Sequence, residues 1–239
     1  MLEKIFFGFV LGAIFGSFLN MLIYRVTNNV SLKGRSFCPN CKKVIPWYEN
    51  IPIISYIILR GRCSKCGYEI PKYYFFNEVF LAFLGSFLAY KFPNLKEFFI
   101  SFLFFTFFHY MAVLDYLFME IDIRPAYFGS LILLFYKVYP FKNFYPLFEV
   151  SFVVFLLYYL KEGYFILKGK EGLGEGDITL CAYITSYFGL YKFFLILSLG
   201  ASLIIIHYIL LKILKKENNK FPLVPYLYIA SLILLLKSF

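Results

Sequence analysis

The chain has 239 residues, of which 61% are hydrophobic and 16% charged, and its formal net charge is +10. A soluble domain holds about 45–50% apolar and about 25% charged residues, so this apolar excess cannot be buried in one core, and both a soluble globular enzyme and a disordered chain are excluded. The apolar stretches run to roughly 13–22 residues rather than alternating over about ten, which indicates helical membrane spans and not a β-barrel. In that setting the positive charge reports basic loops facing anionic lipid, with the bilayer and not nucleic acid as the partner.

The first apolar run, Ile5 to Tyr24, is long enough to cross a hydrocarbon core of about 30 Å. No A-x-A-like cleavage site follows it, so residues 1–24 are expected to be a retained first transmembrane helix. Gly8, Gly12, Gly16 and Asn20 recur every four residues on one face, a spacing that admits a second helix closely.

Residues 25–73 form the one long polar segment, with nine Lys/Arg, two acids and four paired cysteines. Seven further apolar runs follow, near residues 75–90, 98–118, 125–139, 145–160, 178–190, 193–214 and 223–236. The run 178–190 is short and is expected either to merge with its neighbour or to be re-entrant. The fold class is therefore an all-α polytopic membrane protein of about eight transmembrane helices, with a small cytoplasmic zinc-ribbon-like insertion between the first two. Eight spans place both termini on one side. The side carrying 25–73 holds 17 Lys/Arg and the other holds 7, so the positive-inside rule puts the cysteine segment in the cytoplasm.

Cys38-Pro39-Asn40-Cys41 and Cys63-Ser64-Lys65-Cys66 are two C-x-x-C knuckles 21 residues apart. Two pairs of thiolates from two tight turns suit a closed tetrahedral structural zinc site. Gly67 eases the second turn, and Lys42, Lys43, Arg62 and Lys65 favour thiolate. A reducing cytoplasm argues against disulfides. Cys181, inside an apolar run, reads as packing.

Gly174-Glu175-Gly176-Asp177 precedes the sixth span and sets a carboxylate at a membrane boundary, where it is costly and a functional candidate. Gly174 and Gly176 leave room for an extended substrate backbone. An N-terminal helix cap would account for Asp177 equally well. Asp115, near the inner end of the third span, comes to a similar depth on the same side. An interfacial ion pair with Arg124 is the alternative for Asp115. Two carboxylates sharing a site do not both ionise easily, which is the requirement for aspartic proteolysis: one takes a proton from water and the protonated partner supports the carbonyl oxygen. The chain has no H-E-x-x-H and no G-x-S-G, and its two histidines lie in different spans, so serine and metal mechanisms have no constellation. Residues 74–239 are thus read as a transmembrane catalytic domain.

These residues resemble those of the type IV prepilin peptidases, bacterial inner-membrane aspartic proteases of the GxGD class. The likeness runs through Gly12–Asn20, Ile23-Tyr24-Arg25, Asn50-Ile51-Pro52, Leu59–Cys63 and Glu78, and it covers nearly the whole chain. It implies that Asp115 and Asp177 are the catalytic pair. It also implies cleavage of the short basic leader of prepilins or pseudopilins at the cytoplasmic face, then N-methylation with S-adenosylmethionine. Three features depart from the pattern: the family's Pro-Asp after the first aspartate is absent, Met119-Glu120-Ile121 being followed directly by Asp122, one residue short; Thr179 lies where a lysine is common; and Glu49 lies where an aspartate is common. A membrane transporter or scaffold, with the acids as an ion site and the cysteine segment as a docking module, is the alternative function.

Overall fold

The computed structural model describes residues 1–139, 143–214 and 221–237. Among them the fold is helical: α1 (Leu2–Thr27), α2 (Ile54–Ile58), α3 (Lys72–Lys91), α4 (Leu95–Phe118), α5 (Ile123–Val138), α6 (Tyr145–Lys168), α7 (Glu175–Phe188), α8 (Leu190–Ile213) and α9 (Val224–Lys237). Each of the eight apolar runs falls on one helix, and α2 is the addition. Four helices, α1, α4, α6 and α8, are long and apolar enough to cross a membrane. The run expected at 178–190 ends at Phe188, one residue before α8 begins. Lys142 and residues 215–220, used in the charge count, lie outside the described residues.

The chain forms two compact units, Met1–Thr106 and Phe107–Phe239. In the first, α1 and α3 pack antiparallel along the small-residue stripe. A Cβ at Gly8 would lie 2.4 Å from the Gly85 carbonyl oxygen, one at Gly12 2.0 Å from that of Leu81, and one at Gly16 2.6 Å from the Glu78 Cα. Only glycine lets the two backbones approach this closely. Asn20, at the end of the stripe, finds the partners a buried amide needs: its Nδ2 donates to the Tyr74 carbonyl at 2.9 Å and its Oδ1 accepts from Asn77 Nδ2 at 2.9 Å. At the opposite end Lys4 Nζ donates to the Phe92 carbonyl at 2.8 Å.

Arg25 closes α1. It is buried, and its guanidinium donates to the carbonyls of Ser31, Lys33, Gly34 and Arg35 at 2.9–3.1 Å. One rigid fork thereby satisfies four backbone acceptors and turns the chain back into the cysteine segment.

In the second unit α7 is the central helix. Seven of the eight consecutive positions from Leu180 to Tyr187 are buried, together with Ile178. Helices α5, α6 and α8 all contact it. By contrast α6 buries only Val150 and Val153 and leaves Phe148, Phe155, Tyr159 and Ile166 exposed, as a lipid-facing helix would. A single residue, Gly189, joins α7 to α8 at φ +80°. Glu149 Oε1 accepts from Leu190 N at 3.0 Å, capping α8 from a neighbouring helix.

Candidate functional site

The four knuckle cysteines converge. Their sulfurs all lie within 4.8 Å of one another, with Cys38–Cys66 at 3.8 Å and Cys41–Cys63 at 4.0 Å, and none is in a disulfide. A tetrahedron of thiolates at about 2.3 Å from a metal has edges of about 3.8 Å, so the donor set fits one four-coordinate ion.

The two knuckles are built alike. Lys42 N donates to the Cys38 carbonyl and Gly67 N to that of Cys63, both at 3.0 Å. Lys42 and Gly67 occupy the same left-handed position, at φ +57° and +69°. The glycine was visible in the sequence; its lysine counterpart was not, because lysine carries no turn signal. Single bridges Phe37–Val44 and Arg62–Glu69 close the two turns.

Backbone N–H groups point at the sulfurs. Cys66 is drawn down to about 6, foremost by the Tyr68 N–H, and Cys63 is lowered by those of Cys66 and Lys65. Burial pushes Cys38 up to about 11 against the same kind of donors. Lys43 Nζ bonds Glu49 at 2.9 Å and Ser64 Oγ at 2.6 Å, and Ser64 donates to Glu49 at 2.9 Å. This three-residue clasp ties one knuckle to the other and holds Glu49 below its usual carboxylate range, chiefly through the Lys43 bond.

Asp115 and Asp177 both lie in the second unit, and the charge of Asp177 reaches Asp115. Asp115 sits in the last turn of α4 and is buried. Its Oδ2 accepts from Val224 N at 2.8 Å, at the start of α9, where an acid also complements the helix dipole. Asp177, half-buried in the first turn of α7, accepts from Gly174 N at 3.3 Å through Oδ2. The capping role weighed for Asp177 is therefore present in its geometry. Each carboxylate has one oxygen oriented by a backbone N–H at a helix start.

The two sequence glycines have local duties. A Cβ on Gly176 would meet Ile121 at 3.2 Å, and one on Gly174 would crowd the Asp177 carboxylate at 3.3 Å. Gly176 thus lets the start of α7 seat against the loop that follows Asp115.

The ion pair considered for Asp115 is not formed. Arg124 instead grips Asp122, Nε to Oδ1 and Nη2 to Oδ2, both at 2.8 Å. Asp122 caps α5 by accepting from Arg124 N at 3.1 Å, and Tyr110 Oη donates to it at 3.0 Å. Burial raises the Asp122 carboxyl, but the Arg124 and Tyr110 bonds outweigh burial and hold it below the usual range. Sequence reasoning passed over Arg124 and Tyr110 as its partners; the short Asp-x-Arg spacing was the available signal.

A cavity of about 160 Å³ opens in the first unit among α1, α3 and the cysteine segment, with Tyr24, Tyr56, Tyr74, Asn20, Glu49 and Glu78 in its wall.

Comparison with known proteins follows the same division. Residues 10–92 match the model of the bacterial Peptidase A24 N-terminal domain, and residues 102–210 match that of the type IV leader peptidase family. A prepilin leader peptidase/N-methyltransferase of Myxococcus xanthus is 51% identical over 28% of this chain and 21% of its own. One of Vibrio cholerae is 37% identical over 35% and 34%. In these two alignments the chain spans about a fifth and a third of the relative. The protein of the same name from Pseudomonas aeruginosa is 28% identical over 95% of this chain and 88% of its own. No solved structure matches the chain. The two models follow one another nine residues apart and together cover about four fifths of the sequence, and the chain belongs to the type IV leader peptidase family.

Proposed function

We propose that this chain is an intramembrane aspartic endopeptidase that removes the short basic leader from type IV prepilins or pseudopilins, and that it then methylates the new N-terminus. The reading has eight helices crossing the bacterial inner membrane, with the cysteine segment and the acids facing the cytoplasm. What supports it is a buried Asp115 that feels the charge of Asp177, in a chain of this family. One carboxylate takes a proton from water as the oxygen attacks the scissile carbonyl. The other, protonated, gives its proton to the carbonyl oxygen; as the diol collapses, the first passes the proton taken from water to the leaving amine and the second recovers its own from the diol hydroxyl. The N–H groups of Val224 and Gly174 orient the pair.

Zinc, in this reading, is structural: four thiolates complete its shell and leave no place for water. S-adenosylmethionine would supply a methyl group activated on sulfonium. The cavity of the first unit, at about 160 Å³, has room for one aromatic ring rather than the whole cofactor, and its tyrosines offer stacking partners for the adenine alone.

The test is Asp115→Asn and Asp177→Asn, assayed on a purified prepilin. Asn keeps size and can still accept the backbone N–H, so fold is preserved while proton exchange is lost. Each variant should lose on the order of 10²–10⁴ in turnover, and the double variant should be no worse than either single one. A peptide that already carries the mature N-terminus should still be methylated by all three. Near-normal cleavage by either single variant would remove the dyad and favour an ion-site role for the acids.

A further inference from the structure

The polar segment between α1 and α3 contains one apolar stretch, Ile51-Pro52-Ile53-Ile54-Ser55-Tyr56-Ile57-Ile58-Leu59, bounded by Asn50 and Arg60. It is too short to cross a bilayer, and runs of this length are interfacial, re-entrant or core. Its central residues form α2. They are not core: Ile54, Ile57 and Ile58 are 54%, 59% and 73% exposed. Positions i, i+3 and i+4 share one helix face, so α2 presents a bare isoleucine face.

A hydrogen bond fixes the depth of this stretch. Ile53 N donates to Glu78 Oε2 at 2.6 Å. Ile53 adopts φ +66°, an outlier for a β-branched residue, so the surrounding contacts hold the chain there against its own preference. Glu78 packs against Gly16 of α1. The apolar run of α1 continues from Gly16 to Tyr24, which at 1.5 Å per residue is about 12 Å of helix. From the start of α3 at Lys72, Glu78 is likewise about 9 Å in. A leaflet's hydrocarbon is about 15 Å thick. If α1 spans the bilayer over its apolar run, Ile53 lies well below the surface from which the cysteine segment emerges.

We infer that residues 51–58 form a re-entrant element whose Ile54, Ile57 and Ile58 contact the acyl chains of the leaflet beside α1 and α3. The occupant of the bare face is lipid, because the face is apolar, uncovered and held at hydrocarbon depth. The backbone polar groups of such a segment need partners within the protein, and five of its N–H groups have them: Ile54 N bonds the Pro52 carbonyl, Ser55 N that of Ile51, Ile57 N that of Ile53, Leu59 N that of Ser55, and Ile53 N the Glu78 carboxylate. Arg60 follows at once and is exposed, the position for a cation returning to the headgroups. The cysteine segment is then anchored at three places, α1, α3 and this element, and the cavity wall at Tyr56 lies at leaflet depth. The inference rests on α1 crossing the membrane and is independent of the peptidase reading.

The test uses the chain's single tryptophan. Trp47→Phe removes it, and Ile58→Trp or Ile57→Trp then places a lone indole on the bare face. The full chain is reconstituted in vesicles with lipids brominated on the acyl chains, and iodide is added from the water. Both variants should be quenched several-fold more by the brominated lipid than Lys65→Trp in the same background, and should be shielded from iodide. Quenching by iodide with no effect of bromine would overturn the inference. So would protection from both quenchers together with cross-linking between copies, which would make the face a contact with a second chain. Unfolding of both variants would overturn it as well, since a face open to lipid tolerates an indole.

Discussion

At the scale of single residues, several buried or half-buried charged groups are set against backbone. Asp115 and Asp177 each accept a helix-start N–H, Glu78 accepts from Ile53, and Arg25 serves four carbonyls. This is what a low-dielectric setting demands, because every unpaired group there is expensive. The cysteines follow the same rule, with N–H groups aimed at sulfur. If they hold a structural zinc, purified protein should contain about one zinc per chain, and both aspartate variants should retain it. Serine at Cys38, Cys41, Cys63 or Cys66 should lower metal content, measured by atomic emission, and lower the unfolding temperature. Cleavage by these variants should fall only in part, because the metal does no chemistry on the peptide. A chelator that stops cleavage at once in folded protein, with recovery on adding zinc, would make the metal catalytic and the aspartic mechanism wrong.

At the scale of elements, the outcome turns on which features are local. The glycine stripe of α1 was legible because small residues every four positions state a close helix contact without reference to the partner. The eight apolar runs were legible for the same reason. Helix α2 was hidden, since its apolar stretch sits in a segment whose composition is polar and its position depends on Glu78, 25 residues on. The pairing of Asp122 with Arg124 was hidden by the competing attraction of Asp115, although it is local, two residues apart at the start of α5. Glycines themselves divide into two kinds. Gly12 faces the Leu81 backbone, which cannot yield, whereas Gly163 in α6 has nothing within 4 Å of its would-be Cβ. Gly12→Ala should therefore destabilise the protein by about 1–3 kcal/mol through overpacking. Gly163→Ala should raise stability by up to about 1 kcal/mol, the helix-propensity gain. Thermal unfolding in detergent reads both, and equal effects would mean that α1 and α3 are not packed as described.

At the scale of the whole molecule, the remaining question is direction. Composition indicates a membrane protein, and the Lys/Arg asymmetry of 17 against 7 is the argument for one orientation, but a helical fold is the same object either way up. The proposed function needs one orientation, because a leader peptide presented in the cytoplasm can be cut only if Asp115 and Asp177 open to that side. Two exposed positions decide it. Lys170 follows α6 and lies seven residues before Asp177, on the acids' side of the second unit; Asn143 precedes α6 and lies at its other end. The helix between them is α6, itself long and apolar enough to span, so a thiol at each site must face opposite compartments if α6 crosses. With the knuckle cysteines left in place to keep their fold, and the parent chain as background, Lys170→Cys should react with an impermeant maleimide only from the cytoplasmic face of inverted vesicles. Asn143→Cys should react only from the outer face of intact cells. The reverse pattern would overturn the charge argument and part the acids from the compartment of their substrate, and labelling of both from one side would mean that α6 does not cross.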